Sequence, residues 1–366
     1  MRMVKFFFIT AMLMVSGYSA MAQDVAEGQW INLFDGESLF GWVPFGDVDW
    51  SVQNGVLTAT KGSGGWLATT CPFANFELSA KIKVSGDGTA GLAIRVPLEG
   101  HYSENGGGAI TLQAGGDYDI SVRAVGNSVS ASVNGNPVEG LNITNAKGHI
   151  GILYHKYHDK KKAAKIEVQS IKLKPVQLKS LFNGVDLTGW NIIPDHKSVF
   201  SVVDGALNIK DGNGQIETAD VYKDFLLQLD IFVNGKALNS GVFFRGPKGV
   251  FWKGYESQVK NAWLNNDRTK PVDFGTGGIY GVQESRKVVS NDKEWYTKTI
   301  VCDGNHMAVW LNGYLVSDLY DVRPVHPEND GKNGYVPSAG TIHLQGHDPT
   351  TDLSFKNINI QVYPEK

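Results

Sequence analysis

Cysteine is scarce in this chain: Cys71 and Cys302 are the only two in 366 residues. Export would permit a bridge, but the two fall at unlike positions in the two halves of the chain. Cys302 also follows Ile300 and Val301 in a strand-like run, so two free thiols are expected. No Cys/His cluster has finger spacing, so a structural zinc site has no support. Charge of one sign is lacking too. A formal net charge of −3 leaves no electrostatic footprint for nucleic acid or an anionic membrane. The one basic run, Lys160-Lys161-Lys162, reads as a solvated hairpin tip between strands. Helical periodicity is nearly absent, and no apolar run after the N-terminus reaches membrane length.

What the N-terminus does carry is an export pattern. Arg2 and Lys5 precede an apolar stretch from Phe6 to Val15, and Ala20-Met21-Ala22 offers a small-x-small cleavage site before Gln23. No cysteine stands at that junction, so a lipid anchor is not expected. Residues 1–22 read as a signal peptide and the rest as a soluble exported protein. The periplasm is favoured over the exterior because no outer-membrane anchor signal is present.

The chain then repeats itself. LFDGESLFGW begins at Leu33 and LFNGVDLTGW at Leu181, 148 residues later; WSVQNGVLTA at Trp50 returns as FSVVDGALNI at Phe200, 150 residues later. FELSAKIKV, GLAIR, SASVNG and KGHIGILYH return in the same order as FLLQLDIFV, GVFFR, MAVWLNG and AGTIHLQGH. Each block is short, rich in Val, Ile and Phe, and bounded by Gly, Asn or Asp, as strands are. Asn54-Gly55, Asn134-Gly135, Asp204-Gly205 and Asn312-Gly313 are tight-hairpin dipeptides. The expectation is an all-β protein of two tandem modules, 24–175 and 176–366, each two sheets packed face to face as a sandwich or jelly roll. Pro175 marks the boundary.

The copies differ where function would be built. From Tyr255 to Trp295 the second copy has a long stretch, containing YESQVKNAW and TGGIYG, where the first has only AITLQAGGD. Strand alternation puts Asn239, Gly241, Phe243 and Arg245 on one side, Glu256, Gln258 and Lys260 on one side, and His343, Gln345 and His347 on one side. Converging on one concave face, they would form a polar cleft. The first copy keeps Arg95 and His155 but has Gly151 and Leu153 where the second has His343 and Gln345. It reads as a degenerate, accessory or sugar-binding module.

LFNGVDLTGW, VVDGAL, NSGVFFR, GYESQV, TGGIYG, WLNG and GTIHLQGH together resemble the 3-keto-disaccharide hydrolase domain family, over about residues 178–363 and more weakly over 30–173. The resemblance implies a concanavalin A-like jelly roll and a carbohydrate substrate oxidised to a ketone at C3, such as a 3-keto-glucoside. Where family members usually read Glu-Trp-Asn-Thr, this chain has Glu294-Trp295-Tyr296-Thr297.

Such a substrate sets the chemistry. The ketone acidifies the C2 hydrogen, so a base can form an enolate and the C1 substituent can leave with help from an acid, with or without rehydration. His347 is expected as base or acid, Glu256 as its partner and Arg245 as enolate stabiliser. Asn239, Gln258, Tyr280, Gln345 and His343 are expected to bind hydroxyls, and Trp252 and Trp263 to stack on sugar rings. No cofactor is required by the pattern; a divalent metal held by Glu256 and His347 is an open alternative. Two other readings stand beside this one, a non-catalytic carbohydrate-binding protein and a conventional glycosidase with a second carboxylate.

Overall fold

The computed structural model describes residues 25–99, 106–156 and 165–365. The signal segment 1–22 and the Lys160-Lys161-Lys162 run lie outside the described residues. All regular elements among the described residues are strands, arranged in four antiparallel sheets. Residues 31–175 supply an eight-stranded and a five-stranded sheet, which enclose one apolar core. The later residues supply a nine-stranded and a five-stranded sheet around a second core. The protein is thus all-β and built of face-to-face sheets, as expected. One detail differs from the expected boundary: Val25–Ala26 pairs with Leu178–Ser180 and so joins the nine-stranded sheet.

Local chemistry explains the recurring motifs. In LFDGESLFGW the Asp35 carboxylate accepts the backbone N–H groups of Glu37 and Ser38, and the Trp42 indole donates to Leu33 O at 2.8 Å. In LFNGVDLTGW Asn183 Oδ1 accepts those of Val185 and Asp186, and Trp190 donates to Leu181 O at 2.7 Å. Asp or Asn makes the turn and the Trp nine residues after the Leu closes the loop. Asn54-Gly55, Asn134-Gly135, Asp204-Gly205 and Asn312-Gly313 each have positive φ at both residues. Their flanking residues pair directly, as in Leu311 with Tyr314, which is the type I′ geometry that suits strand twist.

The halves are packed against each other. Leu226, Val301, Ala308, Trp310, Leu315 and Tyr363 turn from the second half into the core of the first. Asn75 and Gln361 exchange two hydrogen bonds across the seam (3.0 and 2.9 Å), and Tyr363 donates to Pro72 O at 3.0 Å. Both cysteines are free and buried; Cys71 Sγ faces His306 Nδ1 across the seam at 3.6 Å.

Candidate active site

The five-stranded sheet of the second half runs in the order Trp190–Ile192, Gly214–Thr218, Thr341–Gly346, Ser240–Gly246, Tyr255–Val259. Alternation sends Ile216, Val242, Phe244, Tyr255, Val259, Ile342 and Leu344 into the core. The opposite face is polar. Register places Glu217, His343, Phe243 and Glu256 on one rung across four strands. The next rung pairs Gln215 with Gln345 and Gly241 with Gln258. The absence of a side chain at 241 makes room: a Cβ there would lie 2.3 Å from Glu256 Oε1.

Glu256 sits in the wall of a cavity of about 300 Å³, with Phe243, Phe251, Trp252, Tyr280 and Lys332 around it. The residue is only 6% exposed. Burial pushes its carboxyl up to about 8, against the opposing pull of the Lys298 charge and a hydrogen bond from the Trp252 side chain, so it is protonated at neutral pH. Lys298 rises from the nine-stranded sheet beneath. Its ammonium is fully buried and donates to Ser257 O, Ser257 Oγ and Gln258 O at 2.9, 3.1 and 2.9 Å, and burial depresses it. Burial also raises the Tyr280 hydroxyl, with the charges of Asp273 and Glu256 adding to the effect, so Tyr280 remains a donor.

A second polar group adjoins this wall. Asp273 accepts from Asn239 Nδ2 at 3.0 Å and from Gln258 Nε2 at 3.3 Å. The same Asn239 Nδ2 also meets His347 Nε2 at 3.3 Å, while His347 Nδ1 meets Asp348 Oδ2 at 3.0 Å. Burial works to raise Asp348, but hydrogen bonds from Thr350 and His347 hold it at about 2, and the carboxylate fixes the proton on Nδ1. The His347 Nε2 lone pair therefore faces Asn239 and, with 38% of the side chain exposed, solvent. A chain of contacts thus joins His347, Asn239, Asp273 and Gln258, and Glu256 lies next to Gln258 on the same strand face.

Three expectations need correction. Arg245 does not reach the cleft. Its φ of 54° and a register shift between Phe243 and Gly246 break the alternation. The guanidinium bonds instead to Lys223 O, Val336 O and Asp224 Oδ1, each at 2.9 Å. Arg95 does the equivalent in the first half, at φ 51°, bonding the carbonyls of Ala74, Gly126 and Asn145. Both arginines tie loops to the scaffold. Trp263 lies under the Arg268 guanidinium, 4.2 Å from its ring centre, and is not part of the cavity wall. His343 is on the cleft side but fully buried among Thr341, Gln215 and Glu217, and burial holds it near 4, hence neutral.

Four residues escaped the sequence reading. Gln215 and Glu217 follow the same alternation in GQIET that exposed the other strands. Lys298 was visible only as a lysine in an apolar strand. Asp273 precedes TGGIYG in the long inserted stretch, and nothing local marks its partners. Asn239 Oδ1, Gln215 Nε2 and Gln345 Oε1 are buried without a protein partner, which is what a floor that reads ligand hydroxyls or ordered water leaves open. Among the described residues, the group able to bring three potential metal ligands together is Cys71, His306 and Asp318, and neither Glu256 nor His347 belongs to it.

The first half presents the contrasting floor. Trp66, Ala68, Ala93 and Leu153 cluster with Phe45 there, and Phe45 stacks on Trp66 at 4.8 Å. Polar rungs are therefore not a requirement of the scaffold.

Among solved structures, a candidate glycosyl hydrolase from Parabacteroides distasonis is 26% identical, covering 50% of this chain and 98% of that one with a TM-score of 0.42. A second from the same organism is 24% identical over 51% of this chain and 94% of that one, TM-score 0.41. The carbohydrate-binding module CBM66 of Bacillus subtilis is 17% identical over 47% and 95%, TM-score 0.34. Curated proteins give no match. The profile of the 3-keto-alpha-glucoside-1,2-lyase-like domain matches residues 29–118 and 177–361. With most of its length so matched, the chain belongs to the 3-keto-alpha-glucoside-1,2-lyase-like family.

Proposed function

We propose that the protein cleaves 3-keto-glycosides by elimination across C1–C2, with the site in residues 176–366. His347 Nε2 takes the C2 proton, and the C–H electron pair becomes the enolate over C2 and C3. Tyr280 and Gln258 donate to the substrate oxygens, and Asn239 Oδ1, which has no protein partner, accepts from a substrate hydroxyl. Collapse of the enolate forms the C1–C2 double bond and expels the C1 oxygen, which takes the Glu256 proton. Water added to C1 completes net hydrolysis. The observations that carry this reading are a carboxyl kept protonated by burial and, joined to its strand through Asn239, Asp273 and Gln258, an imidazole whose Nδ1–H is committed to Asp348.

The test uses 4-nitrophenyl 3-keto-α-glucoside beside the unoxidised α-glucoside. Nitrophenol release from the keto substrate alone supports elimination. Release from both favours a conventional glycosidase, for which Asp273 near Glu256 would be the second carboxylate. Glu217 could not serve: it lies three strands from Glu256, about 14 Å at a strand spacing near 4.8 Å, too far for a carboxylate pair. Binding without release favours a lectin. This path uses no metal, so chelator-treated protein is expected to keep its activity.

We further propose that the halves are tandem copies of one module, 24–175 serving as accessory. Export with loss of residues 1–22 and residence in the periplasm complete the reading. Mass spectrometry of the periplasmic protein should then find Gln23 at its N-terminus.

A further inference from the structure

Glu217 and Gln215 are nearly inaccessible, 3% and 0% exposed, and a buried carboxylate is costly unless it is bound. Aligning the halves on Thr69 and Thr218, which both donate to the carbonyl two residues on, sets Trp66 and Ala68 against Gln215 and Glu217. The scaffold therefore folds without this polar pair. Both side chains hold one segment, residues 247–253. The two Glu217 oxygens accept the Gly249 N–H, each at 3.0 Å, and Gln215 Oε1 accepts the Trp252 N–H at 2.8 Å. Behind them Thr341 Oγ1 stands between Glu217 Oε2 (2.9 Å) and His343 Nε2 (2.6 Å), and His343 Nδ1 lies 3.2 Å from Gln215 Oε1. The Phe251 ring lies tilted against that of His196, 4.0 Å between centres, and Lys248 donates to Ala219 O at 2.8 Å.

The segment so held carries Trp252 in a left-handed conformation, φ 58°, which a bulky residue adopts only when its surroundings impose it. Its indole is 50% exposed and lines the Glu256 cavity. We propose that Gln215 and Glu217 are positioning residues that hold Trp252 as an aromatic wall against which the sugar ring stacks, and so set affinity for the glycoside. This rests on the glycoside-cleaving reading for its ligand. An amphipathic indole fixed in advance binds a pyranose face with little ordering cost. Gln215 and Glu217 reach the site through the Trp252 segment, so their effect falls first on binding.

The experiment titrates intrinsic tryptophan fluorescence with methyl 3-keto-α-glucoside and measures kcat and KM with the nitrophenyl substrate. Gln215→Met is expected to raise Kd and KM about tenfold with kcat within twofold, since one immobilising bond is lost. Trp252→Ala should raise Kd at least as much, with kcat left out of its test because the indole also hydrogen-bonds Glu256, and the double variant should bind no worse than Trp252→Ala alone. Glu217→Gln keeps an acceptor for Gly249 and should retain most of the affinity that Glu217→Ala loses; this pair carries the test should Gln215→Met not fold. Multiplying effects in the double variant, or a fall in kcat at constant KM, would overturn the assignment. If the wild type binds but releases no nitrophenol, the elimination reading fails while the Kd series still decides this one.

Discussion

Glu256→Gln isolates the cost of burying a carboxyl in the cavity wall. Gln keeps the shape and cannot ionise. In the folded protein Glu256 is raised to about 8 from its ordinary 4.5, so the folded state holds its proton more tightly than the unfolded chain. Stability from this group is complete below about pH 4.5 and is lost as pH rises to about 8. A shift of that size corresponds to about 5 kcal/mol at most, with the Lys298 charge already included as an opposing effect. Urea denaturation of wild type and variant at pH 5 and pH 9 measures it. The variant should gain several kcal/mol on wild type between these two pH values. Parallel curves, with no difference between pH 5 and pH 9, would refute a protonated, desolvated Glu256. Wild-type turnover should fall above about pH 8, where the acid is lost.

Other perturbations separate chemistry from scaffold. His347→Ala should lower kcat by about 10²–10⁴-fold, the usual worth of a positioned base, with KM little changed in steady-state assays. Arg245→Met should cost about 3–5 kcal/mol of stability in thermal or urea unfolding, because Asp224 and two carbonyls lose a buried partner. The folded fraction should bind glycoside as wild type does. Gly241→Ala places a methyl 2.3 Å from Glu256 Oε1; it should displace the carboxyl, cost about 1–3 kcal/mol and reduce kcat at least tenfold.

Much of the architecture was legible from local rules. The Asn-Gly and Asp-Gly hairpins need only that these residues accept positive φ, and LF(D/N)G…W closes a loop through bonds within ten residues. Period-2 alternation likewise placed Glu256, Gln258, His343 and Gln345 on one side of their strands, because neighbouring residues in a pleat must point oppositely. The same rule placed Arg245 wrongly. A bulge adds a residue to one strand, and whether a strand bulges depends on its partner's register, which its own sequence does not carry.

What the chain determined alone, then, is which segments are strands, where they turn and which faces they offer. Tertiary structure decided which of those faces meet. Asp273 joins Asn239, 34 residues away, and Asn239 reaches His347 across 108 more. Burial decided ionisation: Glu256 is an acid and His343 is neutral because neighbours from distant strands exclude water from them. Desolvation is a property of everything packed around a group, so it first exists when the sheets have closed.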